Sequence, residues 1–236
     1  MKKKNRALKI TTISILSLIA ILFLSFYLYT LDYYRADSSA TNLLNDSNSN
    51  IEQMGDLTIL YPPNIKDKSI GLIFYPGGKV EDISYLPLLK QISDKGITCI
   101  LVKMPLNLAV FNTKAANNII PKFENIDSWY LAGHSLGGAM ASGYMEDNYK
   151  KFKGLILFGA YPINDAPIDT LNIYGTQDIA LDLSKLEGFE NTYEIKGGNH
   201  AYFGNYGVQK GDGIPSISRE EQQAIAVEKI MEFINK

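Results

Sequence analysis

Cysteine is almost absent from this 236-residue chain. Cys99 has no possible partner for an intrachain disulfide, and its setting in Ile97-Thr98-Cys99-Ile100-Leu101-Val102 reads as that of a small buried hydrophobe. A chain of this length buries enough surface to fold without a disulfide or metal scaffold, so neither is required. Basic stripes are missing too: 23 Lys and Arg stand against 25 Asp and Glu, a net charge of −2. Nothing in that balance could neutralise a run of phosphates, which excludes nucleic acid as an expected partner. Histidine is scarce, with only His134 and His200, so any chemistry that needs an imidazole has two candidates. Internal repeats and low-complexity tracts are absent. The expectation is one domain plus accessory segments.

One long hydrophobic run is present. Lys2, Lys3, Lys4, Arg6 and Lys9 precede Ile10 to Leu31, which carries no charged side chain and at ~1.5 Å per residue is long enough to cross a ~30 Å hydrocarbon core. The run ends in Phe26-Tyr27-Leu28-Tyr29 followed by Tyr33-Tyr34, which suits an interfacial aromatic belt better than a small-residue cleavage site. The reading is a single-pass membrane anchor with residues 1–9 as a basic cytoplasmic tail and the remaining chain outside the cytoplasm. Its alternative is a secretory signal removed after export. Residues 32–50, rich in Ser, Asn and Asp, read as a linker or weak helix.

From residue 51 to 236 short β-branched and aromatic runs alternate with amphipathic ones, the pattern of a mostly parallel sheet with helices on both faces. Strands are predicted at 57–61, 70–75, 98–103, 129–132, 154–158, 171–175 and 192–195. Helices are predicted at 83–95, stopped by Gly96, at 112–120, at 139–148, and from a Ser218/Glu221 capping box to 234.

Gly133-His134-Ser135-Leu136-Gly137 stands between a predicted strand and a predicted helix. Gly-x-Ser-x-Gly in that context is the nucleophile-elbow pattern: a sharp turn leaves the serine hydroxyl exposed, and the N–H of Leu136 faces the place where an oxyanion would form. A serine hydroxyl needs a base. The side chain of His134 should point away from it, which leaves His200, in Gly197-Gly198-Asn199-His200 after a predicted strand. Asp178, just beyond the strand at 171–175, is positioned to orient that imidazole, and the order Ser, Asp, His along the chain matches the order in folds with such an elbow. Asp165, Asp169 and Asp182 compete as acids but lack a strand immediately before them. The second oxyanion donor should follow an early strand, where Gly77 and Gly78 are alternatives and Pro76 has no N–H to give. Met104, Leu106, Tyr202 and Phe203 are candidate walls of an apolar pocket, although Tyr202 and Phe203 could equally pack their loop onto the domain.

Phe74 to Val80, Val102 to Ala109, Ala132 to Gly138, Gly175 to Asp178 and Gly197 to His200 together resemble the α/β-hydrolase superfamily, and in style its small lid-less bacterial members related to dienelactone hydrolases. Two departures stand out: Ser135 where dienelactone hydrolases carry Cys, and Pro76 where many esterases carry the histidine of a His-Gly-Gly turn. The resemblance, over about residues 51–236, implies hydrolysis of a small-molecule ester, thioester or amide through an acyl-enzyme, without metal or organic cofactor. An acyltransferase on the same three side chains and a silent envelope-binding module of the same fold are the alternatives. The connection between the strands at 158 and 171 is too short for a lid domain.

Overall fold

A computed structural model describes residues 2–64 and 69–236. Met1, residues 65–68 and the side chains of residues 2–5, 7, 8 and 69 lie outside that description, and so do the side chains of Lys2, Lys3 and Lys4 in the expected basic tail. The chain divides into two units, Met1–Tyr33 and Tyr34–Lys236. The first is helix α1 (Lys2–Leu31), whose segment Lys9–Leu31 has a mean hydropathy of 2.2 and is long and apolar enough to cross a membrane.

The second unit is built on one eight-stranded sheet in the order β1-β2-β4-β3-β5-β6-β7-β8. Its strands are β1 (Ile51–Met54), β2 (Leu57–Leu60), β3 (Ser69–Tyr75), β4 (Ile97–Val102), β5 (Ile126–His134), β6 (Gly154–Phe158), β7 (Thr170–Gly175) and β8 (Thr192–Ile195). β1 and β2 form an antiparallel hairpin on the edge, turned at Gly55 with φ 61°, and β3 to β8 run parallel. β4 and β6 are buried at every residue because each face carries helices, whereas the edge strand β8 is partly exposed. Alternation along β3 shows the division: Leu72 and Phe74 point into one core layer, Ile73 and Tyr75 into the other. The first layer is closed by α3 (Leu86–Ser93) and α6 (Arg219–Ile234), the second by α4 (Ala115–Ile119) and α5 (Leu136–Asn148). Cys99 is fully buried in the first layer, where burial pushes its thiol pKa up, as expected of a packed hydrophobe.

Strand order also locates the crevice. The chain leaves β3 toward β4 on one side and leaves β5 toward β6 on the other, although β3 and β5 are neighbours. Connections that diverge in this way open a cleft beyond the carboxyl ends of the two strands, the usual ligand position in such sheets. Tyr75-Pro76-Gly77 and His134-Ser135 lie at those two ends.

Several expectations need correction. In the stretch 32–50, read as a linker or weak helix, the helix is present: α2 (Ser38–Asn45) packs on α3, and Asp37 caps it by accepting from the Ser39 and Ala40 N–H groups. Arg219 donates to Asp37 at 2.6 Å, a partner 182 residues away. Strand β1 was not expected, and the helix predicted at 112–120 is only five residues long because Pro121 cannot supply the next helical N–H.

Candidate active site

Ser135 links β5 to α5 with φ 51° and ψ −121°, a left-handed conformation that a β-carbon disfavours. Its N–H donates to the carbonyl of Phe158 at 2.9 Å and its carbonyl accepts from Ala139 at 3.0 Å, so the strain is held by β6 on one side and the helix on the other. The flanking glycines are required by close backbone approach. A Cβ on Gly133 would come within 2.5 Å of the Gly137 carbonyl carbon, and one on Gly137 would overlap the carbonyl oxygens of Tyr75 and Pro76. The start of α5 thus rests directly on the turn after β3. Gly78 lies there against the Leu136 side chain, where a Cβ would sit 2.8 Å from Leu136 Cδ2.

His200 and Asp178 meet. Nδ1 of His200 is 2.7 Å from Oδ2 of Asp178, with the side chains 4 % and 0 % exposed. The other carboxylate oxygen of Asp178 accepts from the N–H groups of Ala180 and Leu181 at 3.0 and 3.1 Å. Asp178 therefore orients the imidazole with its own lone pairs satisfied. Asp165, Asp169 and Asp182 make no such contact, and Asp182 instead caps the short turn at Leu183–Leu186. Gly159, one residue beyond the carbonyl that binds Ser135, faces this pair with φ 51°. A Cβ there would lie 2.8 Å from His200 Nδ1 and 3.0 Å from Asp178 Oδ2.

The loop that carries His200 is fixed from three directions. Gln222 of α6, fully buried, accepts from the Asn199 N–H at 2.9 Å and donates to the Asn199 carbonyl at 2.8 Å. Asp212 accepts from the N–H groups of His200 and Ala201 at 3.2 and 2.8 Å. His134 does the rest. Its ring lies 4.5 Å from the His200 ring, and its Nε2 donates to the His200 carbonyl at 3.1 Å, since a carbonyl can only accept. Its Nδ1 then accepts from the Tyr85 hydroxyl at 2.8 Å, and that hydroxyl accepts in turn from the Gly77 N–H at 3.0 Å. Both nitrogens of His134 are committed, in keeping with the expectation that it points away from the serine.

The two glycines left as alternatives differ in this chain of hydrogen bonds. The Gly77 N–H is spent on Tyr85, whereas the Gly78 N–H has no hydrogen-bond partner among the described residues. It also means His134 must stay neutral: burial first, and the neighbouring His200 second, hold its pKa well below the ordinary imidazole value. An unfolded chain binds a proton at His134 below about pH 6.5 and the folded chain does not, so stability is intact above that pH and lost as pH falls through it. Chemical denaturation of the wild type and His134→Gln from pH 7.5 to 5 should show the wild type losing up to about 1.4 kcal/mol more per pH unit. Parallel curves would contradict a neutral His134.

The expected pocket walls divide. Met104 is buried in the second core layer, and Leu106 is 43 % exposed with φ 55°. Phe203 has no exposed surface and packs between His134 and Phe158 at ring distances of 5.8 and 5.3 Å. Tyr202 lies under the Arg219 guanidinium at 5.0 Å. For these two the packing alternative is the one observed. A concavity of about 870 Å³ lies between α3 and α6 and includes none of residues 135, 178 and 200. Tyr85, Gly159, Asp212 and Gln222 went unread in the sequence. Only Gly159 left a signal there, as a glycine ending an apolar run.

A family described as "Alpha/beta hydrolase family" matches residues 71–224. Among solved structures, Est1E from Butyrivibrio proteoclasticus superposes with a TM-score of 0.58 at 16 % identity, covering 79 % of this chain and 98 % of that one. MenH from S. aureus gives 0.57 at 12 % identity over 76 % and 99 %. The Francisella virulence factor BioJ gives 0.55 at 18 % identity over 84 % and 88 %. No curated protein sequence matches the chain.

Proposed function

The chain belongs to the alpha/beta hydrolase family, and from that membership we propose that it is a serine hydrolase cleaving a carboxylic ester, or a thioester or amide, through an acyl-enzyme on Ser135. The observation that carries this reading is the buried 2.7 Å contact between His200 and Asp178, which packs against Gly159, the residue after the carbonyl that binds the strained Ser135. In the proposed reaction the His200 Nε2 takes the hydroxyl proton of Ser135 as Oγ bonds to the acyl carbon. Asp178 holds Nδ1–H and stabilises the imidazolium that results. The oxyanion accepts from the N–H groups of Leu136, at the start of α5, and of Gly78, on the turn after β3. Collapse breaks the bond to the leaving alcohol, which receives the proton from His200, and water then repeats the sequence to release the acid. None of these steps calls on a metal or organic cofactor.

We further propose that α1 stays attached as an anchor and that the Tyr34–Lys236 unit works outside the cytoplasm. The aromatic cluster at the end of the apolar run supports an uncleaved span.

A fluorophosphonate probe tests the chemistry. Full-length protein in detergent should be labelled at one site, Ser135, with loss of labelling in Ser135→Ala. Folded wild type that resists the probe at every pH would refute the proposal.

A further inference from the structure

Resting on the reading of Ser135 as an acyl-accepting nucleophile, we propose that the substrate is an acyl ester resident in a lipid bilayer and that the crevice rim docks on the bilayer surface. Two independent features of the sheet unit meet at that rim.

The first is where the chain enters. Tyr34 forms a parallel bridge with Val80: its N–H donates to the Lys79 carbonyl at 2.8 Å and its carbonyl accepts from the Glu81 N–H at 2.9 Å. Its hydroxyl accepts from the Lys210 N–H at 3.0 Å, on the loop that follows His200. The entry point is therefore stitched to the strand end that carries Gly77 and Gly78 and to the loop beyond the proposed base. Asp32 and Tyr33 are the only residues between it and Leu31, the end of the apolar run, a span of roughly 10 Å from Leu31 to Tyr34 at full extension. A bilayer holding that run lies within reach of this rim by chain length alone.

The second is what the rim exposes. Leu106 and Val110 follow β4, Ile163 follows β6, Ile179 follows Asp178, and Val208 and Ile214 lie on the loop after His200. Their exposure runs from 43 % at Leu106 to 89 % at Val208. Gly213, beside Ile214, packs so closely on the Gln177 carbonyl that a Cβ would overlap it, which brings Ile214 next to the Asp178 turn. A water-soluble substrate gives no reason for apolar side chains around the mouth, whereas a lipid interface does. The acyl chain would rise from the interface into the crevice, and cleavage would leave a fatty acid and a lipid alcohol in the same leaflet.

The test uses the full chain reconstituted in phosphatidylcholine vesicles. An environment-sensitive fluorophore on Ile214→Cys should shift to the blue and be quenched by bromine-bearing lipid acyl chains, while the same fluorophore on Lys95→Cys, at the amino end of β4, should behave as in water; buried Cys99 will not compete for label. In parallel, a fluorogenic phospholipid ester in the vesicles is compared with p-nitrophenyl acetate in solution. The triple variant Val110→Ser, Val208→Ser, Ile214→Ser should lose about tenfold or more of kcat/KM on the vesicle ester and retain the soluble rate. A water-like signal at residue 214, or unchanged vesicle turnover in the triple variant, overturns the proposal. Wild type that takes the fluorophosphonate and cleaves the soluble ester alone overturns the lipid substrate and leaves the serine hydrolase reading standing. Absence of labelling and of both hydrolyses removes the two together.

Discussion

Ser135→Ala should lower kcat on any cleaved ester by about a million-fold, and Asp178→Asn by about ten-thousand-fold, with the fold intact in both. The two effects differ because they remove different things. Without Oγ no acyl-enzyme forms, and only oxyanion donors and substrate binding remain. With Asn at 178 the imidazole persists, but the amide can present an N–H to Nδ1 and stabilise the wrong tautomer. The Ala180 and Leu181 N–H groups that now meet Oδ1 can still bond to an amide oxygen, so the loop should stay in place. Steady-state kinetics with matched thermal denaturation separates loss of chemistry from loss of fold. Near-wild-type turnover in Asp178→Asn would require another acid behind His200, and none of the other aspartates weighed for that place bonds to the ring.

Gly159→Ala comes next in size. The left-handed conformation costs a β-carbon roughly 1–2 kcal/mol, and the new methyl would sit 2.8 Å from His200 Nδ1 and 3.0 Å from Asp178 Oδ2. Something must shift, and the imidazole is the movable party, since the backbone at 159 is tied by its N–H to the Ile173 carbonyl at 2.9 Å. A displacement of about 1 Å at the proposed base is enough for a loss near a hundred-fold in kcat, while the melting temperature falls by only a few degrees. Stopped-flow fluorophosphonate labelling would read the first and calorimetry the second. Wild-type labelling in Gly159→Ala would mean that the His200–Asp178 pair is not where Gly159 meets it.

Local chemistry made much of this legible in advance. Strands buried on both faces announce themselves as continuous apolar runs, so β6, buried along its whole length, was read to the residue. Ser218 was read as a cap because its partner, Glu221, is three residues away, and its hydroxyl does accept from the Glu221 N–H at 3.1 Å. Gly133 was legible for the same reason, since the contact that demands it is with 137, whereas the carbonyls that demand Gly137 belong to Tyr75 and Pro76. What escaped depends on partners remote in sequence. β1 is an edge strand with Glu52, Gln53 and Met54 exposed, so it lacks the apolar signature. α2 looks like linker until Arg219 and Asn205 arrive from the other end of the chain to meet Asp37. Tyr85 reaches His134 across 49 residues and Gln222 reaches Asn199 across 23, and neither spacing marks anything in a linear reading. Phe203 was ambiguous for a simpler reason: an aromatic side chain on a loop suits a pocket or a core equally well until its neighbours are known.

The clamp from Gln222 to Asn199 has a temporal consequence. Polypeptides leave the ribosome, and cross a translocation channel, amino end first. The sheet from β1 to β7 and the serine turn can assemble while α6 is still being made, but the histidine loop gains its buried anchor only when that last helix docks. The proposed enzyme is thus expected to gain activity only after that helix has been made and has docked.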